Sequence, residues 1–245
     1  MVASDASAQM NSETVVSAAK PYFDDLAELY ERFTHVRDSA TSPVRAWLTS
    51  QLKTGARAID VGCGGGNNCG LLADRYDEVV GVDISPKMLD IARTKPTRVP
   101  VRYECRSATD LTPDRDGRFD LVMSVNAVFH MGPAGIVLPT LRDLVAPGGR
   151  LVIIDVTQPD GATPPREQSA HAFETGKIIY DTSGDVSAAV DSIRMMLHPR
   201  WLEMSAQAAP LSETEFTVEY EKALPGVRIT RNIIPTMSAA VWEAA

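Results

Sequence analysis

Ala58-Ile59-Asp60-Val61-Gly62-Cys63-Gly64-Gly65-Gly66 runs a short apolar stretch straight into a turn with four glycines in five positions. An apolar run closed by glycine reads as a buried strand. Glycine in the turn permits φ > 0 and lets backbone approach a ligand with no Cβ in the way. Open α/β sheets bind ligands outside the carboxyl ends of their strands, so this junction sets both the expected fold class and the expected site. A dinucleotide fingerprint would need a glycine at position 67, which is Asn67, and no Gly-Lys-Ser/Thr follows as in a P-loop, so both phosphate-binding readings weaken.

Working outward, strand-like runs recur at 79–82, 101–105, 121–125 and 151–156, separated by amphipathic stretches. That alternation predicts an α/β fold with a doubly wound, Rossmann-like sheet. Ser85-Pro86 reads as the N-cap and first residue of one helix and Ser42-Pro43 of another. A helix is expected before the turn Pro147-Gly148-Gly149. The rhythm breaks over 157–210, where a QPDGATPPR loop precedes helical stretches at about 167–180 and 185–198, an insertion after the fifth strand over the sheet edge. A helix at about 212–223 and strands at 227–233 and 237–242 follow; the short link between the strands requires an antiparallel hairpin, for seven strands in all. At the other end, 1–19 reads as a flexible tail and 20–53 as a helical lid opened by Pro21. The segments form one domain, with the binding core at 54–156 and the C-terminal helix and hairpin at 211–245.

The 245 residues carry 24 basic and 32 acidic side chains, a net charge of -8, with 44% hydrophobic and 23% charged residues. This is one soluble α/β domain of ordinary size. The acidic balance disfavours a nucleic-acid partner, since phosphate backbones are bound by clustered Lys and Arg. No apolar run approaches the roughly 20 residues needed to cross a bilayer, and no leader pattern opens the chain. Cys63, Cys69 and Cys105 suit neither a disulfide framework nor a zinc site, so a cytoplasmic protein without a metal is expected.

Asp83 ends the second strand at the distance from the first glycine where ribose-binding carboxylates stand, and a carboxylate there accepts both hydroxyls of an adenosine ribose. Turn and carboxylate together select a nucleoside whose other end is not pyrophosphate. Here the sequence resembles the class I S-adenosylmethionine-dependent methyltransferases, in the small-molecule, ubiquinone/menaquinone-type (type 11) group. The resemblance rests on AIDVGCGGG (58–66), GVDISPKMLDIAR (81–93), FDLVMSVNAVFHM (119–131) and LRDLVAPGGRLVIIDV (141–156), in order and suitably spaced. It implies S-adenosyl-L-methionine as cofactor, with Asp60, Gly62, Cys63, Gly64 and Gly66 around its methionine moiety, Asp83 on the ribose, and Ile84 and Met88 beside the adenine. An Asp-Ala pair that often follows the third strand in the family is here Ser107-Ala108, leaving Ser107 or Asp110 to meet the adenine. Asn126, after the fourth strand, is placed with the cofactor-facing residues.

An activated methyl donor requires mainly alignment of a nucleophile and exclusion of water; a general base helps where the acceptor is a hydroxyl or acidic carbon. His130, following the fourth strand, offers an imidazole of ordinary pKa about 6.5, or else a packed residue under the site floor. His171, on the insertion, is a second catalytic candidate, or a surface histidine. Tyr22, Tyr30 and Phe33 are candidates to line the acceptor pocket, and Met195, Met196, Trp201 and Met204 an adaptable apolar face for packing or for a hydrophobic acceptor. The expected reaction is methyl transfer to a small-molecule O, N or C nucleophile. The excess of Arg over Lys, 18 against 6, associates it with bacterial specialised metabolism. Two alternatives stay open: a non-methylating cyclisation or rearrangement promoted by the cofactor, and a cofactor-sensing binding protein.

Overall fold

The computed structural model describes residues 12–37, 42–161, 168–207 and 210–245. Seven strands form one sheet in the order β3-β2-β1-β4-β5-β7-β6. They are β1 (Gly55–Val61), β2 (Tyr76–Asp83), β3 (Val101–Cys105), β4 (Phe119–Val125), β5 (Val145–Val156), β6 (Arg228–Ile234) and β7 (Met237–Glu243). β1 to β5 pair in parallel, and β7 runs antiparallel between β5 and β6. The strand order reverses at β1, which puts the carboxyl ends of β1 and its neighbours β2 and β4 around a crevice.

Burial explains the strand sequences. The central β4 reads FDLVMSV and is buried at all but one position, because helices cover both faces and leave no solvated side to alternate with. Edge strands β3 and β6 are mostly exposed or half-buried and carry Arg and Glu or Asn. One core layer packs Val137, Leu138 and Leu141 of α7 (Ala134–Asp143) and Phe216 and Tyr220 of α11 (Glu213–Ala223) on the sheet. The other packs Val44 and Leu48 of α2 (Pro43–Gln51), Cys69 and Leu72 of α3 (Asn67–Ala73) and Leu89 of α4 (Pro86–Arg93).

Local signals act largely as read. Ser85 Oγ accepts from Met88 N at 3.2 Å to cap α4, with Pro86 at its start. Ser212 and Glu215 form a reciprocal capping box on α11. Ser42 occupies the N-cap position of α2, but its side chain makes no cap bond. Pro147-Gly148-Gly149 falls within β5 as an irregularity: Phe119 pairs with Val145 but Leu121 with Arg150, so six residues of β5 oppose three of β4.

The N-terminal reading is corrected. α1 spans Ser12–Arg37, so Pro21 lies inside it, and of the expected flexible tail 12–19 is helical while 1–11 lies outside the described residues. Three helices occupy the insertion: α8 (Gln168–Ser183), α9 (Val186–Met196) and α10 (Pro199–Gln207). Ala27 and Tyr30 of α1 join Met195 and Met196 of α9, with Trp201 of α10 and Met88 of α4, in a third apolar cluster. Tyr30 stacks on Trp201 with ring centroids 6.3 Å apart. The methionines therefore pack the insertion against α1. No helix among the described residues is long and apolar enough to cross a membrane.

Candidate active site

The glycine turn and Asp83 are one hydrogen-bonded unit. Gly64 N donates to Asp83 Oδ2 at 2.8 Å, and Ser85 N to Oδ1 at 2.9 Å. Gly62, Gly64 and Gly66 have φ of +76°, +50° and +77°, a backbone region costly for residues with a Cβ. A Cβ on Gly62 would also stand 2.4 Å from Ala127 Cβ and 2.7 Å from Met131 Cε, so the turn sits directly against the segment that follows β4.

These residues open onto a cleft with about 900 Å³ of empty space, open solvent at its mouth included. One end follows β2 and β3 and is lined by Asp83, Ile84, Met88, Arg106, Ser107 and Ala108. The other follows β4 and is lined by Val125, Asn126, Ala127, His130 and Met131. Gly62, Cys63, Gly64 and Gly65 lie between, and Phe23, Tyr30 and Thr34 of α1 also line the cleft.

α1 is fastened here by polar contacts at both ends of the cleft. Ser85 Oγ donates to Asp24 Oδ1 at 2.6 Å, and Asn126 Nδ2 to Tyr30 Oη at 3.2 Å. Lys95 Nζ bridges Glu31 of α1 and Asn67 at the start of α3. On its other side α1 pairs Asp25 with Arg200 and Arg32 with Asp191, both on the insertion.

Burial sets the chemistry of the ionisable groups. It pushes the Asp83 carboxyl above the usual carboxylate range, opposed by the backbone N–H groups of Ser85, Gly64 and Ile84. It also pushes the Cys63 thiol well up, which keeps that sulfur protonated and unreactive. His130 moves the other way: desolvation lowers its imidazole to about 3. It lies against Phe129, with centroids 3.7 Å apart, and meets Phe23 edge-on at 5.4 Å. The ordinary pKa assigned to His130 from sequence is thereby corrected: the ring is neutral throughout the physiological range.

Several sequence candidates lie elsewhere. Asp60 is buried beneath the turn, where Cys69 Sγ donates to its Oδ2 at 3.6 Å, and it does not line the cleft. Gly66 is the N-cap of α3; a Cβ there would stand 2.7 Å from Tyr103 Oη and 2.9 Å from Ala92 Cβ, so helix packing demands this glycine. Tyr22 and Phe33 are half-buried outside the lining, and Phe33 packs against the α1 and insertion cluster. His171 is exposed on α8, away from the cleft. Asp110 does not line the cleft either, and Ser107 Oγ caps the following turn by accepting from Thr109 N at 3.2 Å. Sequence reasoning missed Arg106, Thr34, Asn67, Asn68, Ala127 and Met131. For Ala127 and Met131 the signal was available, since they follow a strand end as Asp83 nearly does.

The donor set fits the cofactor that the turn and carboxylate imply. A turn whose only Cβ belongs to Cys63 leads to a strand-end carboxylate with unfilled acceptor positions beside apolar Ile84, Met88 and Ala108. Comparison with known proteins agrees. A methyltransferase-domain profile matches residues 59–153. Trans-aconitate 2-methyltransferase of Methylobacterium radiotolerans is 34% identical over 185 residues, covering 74% of this chain and 67% of the relative. Ubiquinone biosynthesis O-methyltransferase of Xanthomonas euvesicatoria is 31% identical over 118 residues, covering 46% of this chain and 49% of that one, so the chain matches about half the length of this relative. Among solved structures, a DhpI–SAH complex superposes with a TM-score of 0.63 at 18% identity, covering 94% of this chain and 97% of that one. Magnesium protoporphyrin IX methyltransferase from Synechocystis, with SAH bound, gives 0.57 at 16% identity, over 94% and 100% of the two chains. The chain belongs to the class I S-adenosylmethionine-dependent methyltransferases, with S-adenosylmethionine as its cofactor.

Proposed function

We propose that the protein transfers the methyl group of S-adenosylmethionine to a small-molecule acceptor, an O, N or C nucleophile, in the specialised metabolism of a bacterium. The observation that carries this reading is the hydrogen bond joining the glycine turn to Asp83 inside a cleft also lined by α1. In this assignment Asp83 accepts from the ribose hydroxyls, the turn from Gly62 to Gly65 holds the methionine moiety, and Ile84, Met88 and Ala108 flank the adenine. Bound there, the cofactor supplies a methyl group already activated on a sulfonium. The β4 end, with Tyr30, Asn126 and His130, receives the acceptor and aligns its nucleophile.

His130 acts in this scheme as a neutral hydrogen-bonding group. A ring held near a pKa of 3 is a poor general base, so alignment and exclusion of water are the larger contributions. α1, tied down by Asp24, Tyr30 and Glu31, supplies the exclusion of water. The protein's action on a free small molecule is tested by incubation with methyl-labelled S-adenosylmethionine and a metabolite extract, followed by mass spectrometry. The expected result is a labelled small molecule heavier by one methylene. Label appearing only in protein or RNA would overturn it.

A further inference from the structure

At the β4 end of the cleft three buried polar atoms lack a hydrogen-bond partner among the described residues: Asn126 Oδ1, His130 Nδ1 and His130 Nε2. Each is chemically defined. Asn126 is 8% exposed and its Nδ2 already donates to Tyr30 Oη, which leaves Oδ1 as an acceptor. A neutral imidazole has one N–H donor and one lone-pair acceptor, and the neutral form is the one burial enforces. Phe129 and Phe23 hold the ring from two directions. The set therefore offers two acceptors and one donor, beside apolar Val125, Ala127 and Met131.

Buried polar groups are almost always satisfied, so a ligand that enters this end and displaces water must bring the complement. We propose that the methyl acceptor is an uncharged protic molecule presenting two hydrogen-bond donors and one acceptor to Asn126 and His130, as a primary carboxamide or a diol does. A carboxylate brings acceptors alone: it satisfies the imidazole N–H and sets its oxygens against Asn126 Oδ1 and the imidazole lone pair. The acceptor thus differs in kind from trans-aconitate, a polycarboxylate, for which the Methylobacterium relative is named. This inference rests on the reading of the cleft as a methyltransferase site.

The test uses the full chain loaded with S-adenosylhomocysteine, whose binding is first measured by calorimetry. Benzamide, benzoate, N,N-dimethylbenzamide and trans-aconitate are then titrated separately, with saturation-transfer NMR as the readout. Benzamide is expected to bind at least tenfold more tightly than the other three. Asn126→Gly removes Oδ1 while suiting a backbone φ of +57°, and His130→Phe keeps the ring but removes both nitrogens. Each should bring benzamide to within about threefold of N,N-dimethylbenzamide at saturating S-adenosylhomocysteine, with an unchanged circular dichroism spectrum showing that the fold is intact. Benzoate or trans-aconitate binding as tightly as benzamide, no binding of benzamide, or variants that leave its advantage unchanged would each overturn the proposal. Failure of S-adenosylhomocysteine itself to bind would instead remove the methyltransferase reading beneath it.

Discussion

Replacing Asp83 by Ala removes two kinds of interaction at once, and the structure separates their sizes. In the free protein the carboxylate accepts from Gly64 N at 2.8 Å and from Ser85 N at 2.9 Å, leaving further lone pairs on both oxygens for ribose hydroxyls. A hydrogen bond to a charged group is worth about 1.5–3 kcal/mol. Losing two such bonds to the ribose is partly offset because water re-enters a cleft open at its mouth, so about 3 kcal/mol, roughly 150-fold in Kd, is expected. The assay is calorimetric titration with S-adenosylhomocysteine, with circular dichroism to confirm folding. Asp77→Ala, an exposed carboxylate at the opposite end of the same strand, serves as the control and should leave Kd unchanged. A folded Asp83→Ala protein that binds within threefold of wild type would refute the assignment.

Asp83 also gives the site a pH dependence with a definite sign. Its free-protein pKa is raised, while hydroxyl donors favour the ionised form, so cofactor affinity should fall as pH drops through that raised value, by up to about tenfold per unit below it. Titrations carried from pH 8 down to the acid limit of folding should show this loss, and Asp83→Asn should flatten it. Gly62→Ala combines φ +76° with a 2.4 Å clash and should cost about 2–5 kcal/mol in urea denaturation, whereas Gly70→Ala, in open space within α3, should stabilise by about 0.5–1 kcal/mol. Equal effects of the two would contradict the steric argument. Lys95→Met breaks a partly buried bridge from α1 to Glu31 and Asn67; at about 1 kcal/mol it should speed S-adenosylhomocysteine release about fivefold and deprotect α1 amides in hydrogen exchange. An unchanged release rate would mean that the bridge does not hold α1 closed.

The glycine turn and Asp83 were legible in the sequence because each is a local backbone demand: φ > 0 at a strand end, and a carboxylate where the next strand stops. The hairpin of β6 and β7 was legible because a short link permits only one strand direction. Pro21 misled because proline costs little in a first turn and was read there; α1 carries it inside, and the described contacts of the helix with the cleft and insertion run from Phe23 to Thr34. Arg106 and Thr34 were invisible for another reason. Each stands beside a residue read as facing the site, Ser107 and Phe33, and only tertiary packing decides that Arg106 joins Ser107 in the lining and that Thr34 takes the place of Phe33. His130 was found by position, yet its state was not, since desolvation by Phe23, Phe129 and the surrounding core is a property of the folded chain. His171 shows the converse: a residue type suited to catalysis, on a helix whose packing leaves it in solvent.

The central claim is that one cleft holds the methyl donor by the glycine turn and Asp83 and points its reactive end at Asn126 and His130. A crystal structure of the protein with S-adenosylhomocysteine bound tests it most directly. The account predicts ribose hydroxyls on Asp83, adenine beside Ile84, Met88 and Ala108, and the sulfur turned towards the β4 end. A nucleoside bound outside this cleft, or lying reversed with its adenine against Tyr30 and His130, would contradict it.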